Sequence, residues 1–145
     1  MNDSCSIIIP AIDINQDVKK CIKECLSQKN IKIKIFLITN KKIINPFKSR
    51  KVKCLSYGDI TMSKKRNKAV KKSKDKFIAF IDSDAYPAKK WIFNGIKILK
   101  NKPNVGIVSG PELPITNQKG WINIISLAHN SILLSGSKAF YKNLK

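Results

Sequence analysis

Hydrophobic positions along the chain follow two alternating rhythms. Ser4 to Pro10 is a short isoleucine-rich run with the composition of a strand. Asn15 to Gln28 then sets Val18, Cys21, Ile22, Cys25 and Leu26 at the i, i+3, i+4, i+7 and i+8 spacing of an amphipathic helix. Ile33 to Ile38 is a second β-branched run, and Lys51 to Ser56 alternates Val52 and Cys54 with lysines as a third strand; Asn45-Pro46 marks a turn between them. Thr61 stands where it can cap a helix from Met62 to about Ser73, whose apolar side is thin (Met62, Ala69, Val70). Its other faces carry Lys64, Lys65, Arg66, Lys68, Lys71 and Lys72, which predicts contact with solvent or an anion. Phe77 to Ile81 is continuously apolar, the pattern of a central strand covered on both faces, and it runs straight into Asp82-Ser83-Asp84 and Pro87. Ala88 to Lys100 repeats helical spacing through Trp91, Ile92, Ile96 and Leu99, and Val105 to Ser109 predicts a further strand ended by Gly110-Pro111. A loop from Gly110 to Gly120 leads to Trp121–Leu134, apolar on most sides and in need of a partner surface.

Strands alternating with helices predict an α/β domain, a mostly parallel sheet flanked by helices, with ligands outside the carboxyl ends of the strands. A chain of 145 residues fits one such domain, 1–145. Its 43% hydrophobic and 26% charged residues exclude wholesale disorder and fibrous repeats. No apolar run approaches the roughly 18 to 20 residues that span a bilayer, and the polar start carries no signal peptide, so a cytoplasmic location is expected. Cys5, Cys21, Cys25 and Cys54 form no CxxC pair and read as reduced core thiols. With His129 the only histidine, a zinc site of the usual kind is disfavoured, and any metal must sit on oxygen.

The formal charge of +20, from 29 Lys+Arg against 9 Asp+Glu, suits anionic partners. Only Arg50 and Arg66 are arginine, however, and abundant Lys, Ile and Asn together are what AT-rich coding produces. No aromatics interleave with the Lys64–Lys76 run, which disfavours a nucleic-acid partner and leaves peripheral contact with the inner face of an anionic membrane.

Two carboxylates one residue apart at the tip of an apolar strand lie on the same side if the backbone stays extended, and unpaired they are costly there. A divalent cation relieves that cost. A small set of hard oxygen ligands suits Mg²⁺ or Mn²⁺, completed by water and substrate phosphates, and such an ion neutralises a departing diphosphate. The bland alternative is an Asx-turn or acidic cap.

Ser6 to Asp13 (SIIIPAID), Arg66 to Pro87 (RNKAVKKSKDKFIAFIDSDAYP), Trp91 and Val105 to Pro114 (VGIVSGPELP) together resemble the amino-terminal half of a family 2 glycosyltransferase with the GT-A fold. The resemblance implies a GT-A-like, Rossmann-like sheet, incomplete at the carboxyl end, that binds a nucleotide-diphosphate sugar. It implies that Asp84, joined by Asp82, holds Mg²⁺ or Mn²⁺ against the diphosphate, that Asp82 also faces ribose or sugar beside Ser83, and that Arg66 reaches the nucleotide or diphosphate. Pro10 and Ala11 fall at the nucleotide cradle, with Asp13 just after it, although Ile12 replaces the usual aromatic. At the end of the second strand the family usually has an Asp that hydrogen-bonds the base. This chain has Thr39-Asn40, which leaves the nucleotide open.

The implied reaction is metal-dependent transfer of the sugar, with inversion, to a glycan or lipid-linked hydroxyl, as in polysaccharide biosynthesis. Family catalytic domains run on for roughly another hundred residues that carry the acceptor site and general base, so 121–145 is expected to begin that region in a truncated chain. No base is matched: Glu112, the only carboxylate after Asp84, precedes the expected position. The alternatives are an inactive donor-binding remnant, a basic nucleic-acid- or membrane-binding module, and, more remotely, a phosphohydrolase of the haloacid dehalogenase type.

Overall fold

A central strand of isoleucines organises the fold. In the computed structural model, which describes residues 3–110 and Ile124, the element order is β1 (Ser4–Pro10), α1 (Gln16–Leu26), β2 (Lys32–Thr39), β3 (Val52–Ser56), α2 (Met62–Val70), β4 (Phe77–Phe80) and α3 (Trp91–Asn101). The sheet runs β3-β2-β1-β4 with every neighbouring pair parallel. The period-2 alternation of β1 sends Ile7 and Ile9 to one face and Ile8 to the other. The first face is covered by α1 and α3 through Val18, Cys21, Ile22, Cys25, Ile92 and Ile96; the second packs Ile8, Phe36 and Ile38 against Ala69 of α2.

The helix ends follow local chemistry. Asn15 caps α1 by accepting from the Val18 N–H at 2.9 Å, and Thr61 caps α2 by accepting from the Lys64 N–H. α3 has no side-chain cap of its own. Gln28, just beyond α1, takes over: its amide oxygen accepts from Ile92 N–H at 3.2 Å and its nitrogen donates to Ala88 C=O at 2.8 Å. At the start of β1, buried Ser6 donates to Asp75 and accepts from Ser73 at 2.8 Å. Burial alone would raise the Asp75 carboxyl, but hydrogen bonds from Ser6 and Ser4 and the charge of Lys34 outweigh it and hold the group below the usual range.

The chain divides into two units, Met1–Val105, which holds the sheet and its helices, and Gly106–Lys145. Three expectations change. Among the described residues Phe77 to Ile81 does not form a central strand: β4 pairs there with β1 alone, at the edge of the described sheet, with Ile78 37% and Phe80 50% exposed on the face opposite Phe77 and Ala79. A run apolar at every position marks a potential for two-sided burial, and no described element covers the second side. Val105 to Ser109 is not a strand, and Ile107 is 88% exposed. A strand requires a ladder, and among the described residues nothing pairs with the outer edge of β4. Lys65, read as part of a solvated face, is buried at 1% exposure. The loop after Gly110, Glu112 and, apart from Ile124, the segment Trp121–Leu134 lie outside the described residues.

All four cysteines are free; Cys5, Cys21 and Cys25 are buried and Cys54 is half-buried. Burial, followed by the field of Asp75, pushes the Cys5 thiol up to about 12, and hydrogen bonding with Cys21 followed by burial pushes Cys25 up further. An alkylating reagent at pH 8 should therefore modify Cys54 first and reach the others only on unfolding, as mass spectrometry over a denaturant series would show. Rapid native-state labelling of Cys5 or Cys25 would contradict this packing. Because folding raises the Cys5 pKa, its contribution to stability is complete below the unfolded thiol's value and is lost as pH climbs toward about 12.

Candidate functional site

Parallel pairing brings every strand's carboxyl end to one edge of the sheet. From β1 the chain moves outward to β2 and β3, then returns through α2 to place β4 on the other side of β1. The strand order therefore reverses between β1 and β4, and open α/β sheets bind ligands in the crevice at that point. Pro10 and Ala11, both buried, leave β1 there, and Asp82, Ser83 and Asp84 follow β4 there. Asp13 is exposed nearby in sequence, its carboxylate accepting from Ile14 N–H at 2.7 Å.

The Asp82-Ser83-Asp84 backbone does not stay extended. Ala85 N–H donates to Asp82 C=O at 3.1 Å, so the chain turns as soon as it clears the strand, and the two carboxylates project from a turn. That turn is held from α1: the Cys21 thiol donates to Asp82 C=O at 3.6 Å, and Tyr86 Oη donates to Asp17 at 2.7 Å beneath Lys20 Nζ, which lies 4.0 Å from the ring centroid. Hydrogen bonding to Asp17 is the main reason the Tyr86 phenol is pushed up to about 12.

Burial does not make the carboxylates costly here, since Asp82 and Asp84 are both exposed. Arg66, from α2, donates to the Asp82 carboxylate across the crevice. Among the described residues Asp84 has no hydrogen-bonding or ionic partner. The structure thus brings together Pro10, Ala11, Arg66, Asp82, Ser83 and Asp84 around the β1/β4 switch.

Thr39 and Asn40 end β2 farther along the edge. Thr39 is fully buried and its hydroxyl donates to Lys41 C=O at 2.8 Å. Asn40 is held on all sides: its N–H donates to Ile12 C=O at 3.1 Å, its C=O accepts from Ser56 Oγ at 2.8 Å, its side-chain oxygen accepts from Lys65, and its amide nitrogen donates to Asp59 at 2.9 Å. Lys65 Nζ also donates to Ala11 C=O at 2.7 Å, so one ammonium ties the end of β1 to the end of β2. Sequence reasoning missed Lys65 and Asp59, because both sit in polar stretches where charge reads as surface. The available signal was helical spacing: Lys65 lies four residues before Ala69, on the thin apolar side of α2.

The family model for glycosyl transferase family 2 matches residues 6–131. No curated protein matches the chain. Among solved structures, the crystal structure of S. aureus TarS is similar at a TM-score of 0.58 and 18% identity over 70% of this chain and 20% of that one. The 1–349 portion of S. aureus TarS gives 0.60 at 14% identity over 81% of this chain, and its complex with UDP-GlcNAc gives 0.57 at 16% over the same share. This chain spans only 20% to 40% of the length of those structures. The likeness establishes a common fold, the α/β GT-A-like arrangement.

Proposed function

The chain belongs to glycosyl transferase family 2, and on that basis we propose that it binds a nucleotide-diphosphate sugar at the β1/β4 switch and serves transfer of the sugar, with inversion, to an acceptor hydroxyl. The observation that carries this reading is the Arg66–Asp82 pair with Asp84 beside it, unpartnered among the described residues, at the strand-order reversal of a parallel sheet. Solved structures of this fold complexed with UDP and UDP-GlcNAc support a nucleotide sugar as donor.

The residues present fit a hard divalent cation. Asp82 and Asp84 offer exposed carboxylate oxygens, and among the described residues no group of three or more His, Cys, Asp or Glu could hold an ion alone. Such a donor set suits Mg²⁺ or Mn²⁺, which keep waters and complete their shell with substrate phosphate. Asp84 and Asp82 would hold it; when bound, it supplies neutralisation of the leaving diphosphate. Arg66 adds a fixed positive fork for the same negative charge once it exchanges Asp82 for phosphate oxygens. Pro10 and Ala11 present backbone to the nucleotide. In the transfer the acceptor oxygen forms its bond to the anomeric carbon as the bond to the diphosphate breaks, and the acceptor's proton leaves to a base. The chain has no transmembrane helix among its described residues, and peripheral contact with anionic lipid through its lysines is part of the same proposal.

Calorimetric titration with UDP-, GDP- and dTDP-sugars tests the reading. At least one should bind with Mn²⁺ present, and EDTA should abolish the heat. A well-folded sample that binds none of them would refute it and favour the basic-module alternative.

A further inference from the structure

The connection between β2 and β3 carries an exposed isoleucine inside a belt of cations. We propose that this loop, residues 40–51, docks the protein on an anionic lipid bilayer, with Ile44 entering the headgroup layer and Lys41, Lys42, Lys48, Arg50 and Lys51 meeting lipid phosphates. The inference rests on the peripheral membrane contact proposed above and is independent of donor binding.

The loop has a fixed base. The amide nitrogen of Asn45 donates to Ser49 C=O at 3.1 Å and to Val52 C=O at 2.9 Å, and its amide oxygen accepts from Phe47 N–H at 2.9 Å. One side chain thus ties the turn to the start of β3. Val52 N–H donates to Ser49 C=O at 3.2 Å, and Phe47 packs inward against the core that α1 and α3 cover. Lys48 lies in the left-handed region at φ 47, a conformation that an L residue keeps only where its surroundings over-determine it.

Phe47 turns in and Ile44 stays out, 94% exposed and immediately before the pinned Asn45. Single exposed apolar residues are common on protein surfaces, and the setting of this one is what separates it. Lys41, Lys42, Lys48, Arg50 and Lys51 are all exposed, and none of them joins a salt bridge among the described residues. No acidic residue occurs between Glu24 and Asp59, so the positive field of the loop is not neutralised from its own stretch of chain. An anionic bilayer answers both features, because its surface potential attracts the cations and its acyl boundary takes the apolar side chain out of water.

Other polyanions answer only one. A nucleic acid attracts the same cations but has no apolar phase for Ile44, and Phe47, the one aromatic of the loop, is packed against the core and does not present a ring for base stacking. A stable protein partner needs about 800 Å² of surface from each side, for which one isoleucine is a small anchor.

The test measures sedimentation of the full chain with vesicles of phosphatidylcholine alone and of phosphatidylcholine mixed with phosphatidylglycerol, and binding to heparin as a soluble polyanion. The wild type should bind the anionic vesicles and not the neutral ones. Ile44→Ser, which leaves the charge unchanged, should weaken vesicle binding by about 3- to 10-fold, the scale of an isoleucine partly withdrawn from water, and leave heparin binding as it was. Lys42→Ala with Arg50→Ala should weaken vesicle binding by about 10-fold or more, since each cation near an anionic surface contributes about 5-fold. All these side chains are exposed, so the variants should melt as the wild type does. Vesicle binding by Ile44→Ser as tight as that of the wild type, or heparin binding weakened as much as vesicle binding, overturns the assignment of this loop to lipid. Failure of the wild type to bind anionic vesicles overturns the membrane contact itself, and the inference with it, while calorimetry with nucleotide sugars decides the donor site separately.

Discussion

Replacing Lys65 with Met is expected to cost about 2 to 4 kcal/mol of stability, a large share of the roughly 5 to 15 kcal/mol that holds a typical domain. Methionine approximates the length of the lysine stem and fills the same space beside Ala69, so packing changes little. What disappears is the ammonium that donates to Ala11 C=O and to Asn40. The buried Ala11 C=O and the half-buried Asn40 amide oxygen are left facing an apolar side chain, and an unmet buried acceptor costs about 1 to 3 kcal/mol. Urea denaturation followed by circular dichroism would measure the loss, with Arg66→Ala as the comparison. The Arg66–Asp82 pair is exposed, so its removal should change stability by no more than about 1 kcal/mol. Two adjacent basic residues on one helix thus differ in kind, one buried and tied to two strand ends, the other paired with an exposed carboxylate. A Lys65→Met chain as stable as wild type would show that the ammonium does not hold the strand ends together.

Asp84→Asn should leave the fold intact and remove metal-dependent donor binding, weakening it by about 100-fold or more. Substitutions merely behind a metal ligand typically cost 10- to 100-fold, and loss of the ligand itself should exceed that. Asparagine keeps the shape and one acceptor oxygen but gives up the negative charge that holds a hard cation. Because Asp84 is exposed and unpartnered among the described residues, no folded-state contact is broken. Calorimetry with a nucleotide sugar and Mn²⁺, beside a thermal melt, reads both quantities. Undiminished Mn²⁺-dependent binding by the variant would remove Asp84 from the donor site.

Much of this was legible along the chain. The isoleucine run of β1, the i, i+4 stripe of α1 and the caps at Asn15 and Thr61 are local signals, and the structure matches each to within a few residues. The order of elements implied a parallel sheet, and Arg66 and Asp82-Ser83-Asp84 stood out because they flank a strand at recognisable spacing. The apolar character of Phe77–Ile81 was legible too, but not its place: strand order depends on which backbone edges meet, and a one-dimensional pattern does not record edges. The same limit applies to Val105–Ser109, whose β-rich composition could not supply a ladder partner.

Lys65 shows the division most clearly. Its charge and its place on α2 are properties of the sequence, and by composition Lys64 or Lys68 would have been as good a candidate for burial. The sequence by itself determined the periodicities, the caps, the family and the carboxylate pair after β4, because these depend on residues near one another along the chain. Only the tertiary structure decided that Arg66 meets Asp82, that β4 lies at an edge of the described sheet, and that Lys65, Asn40 and Asp59 form a line across the strand ends. Those contacts join residues 16 to 25 positions apart through the geometry of a parallel sheet, where a buried polar group is tolerated only if distant partners arrive together to satisfy it.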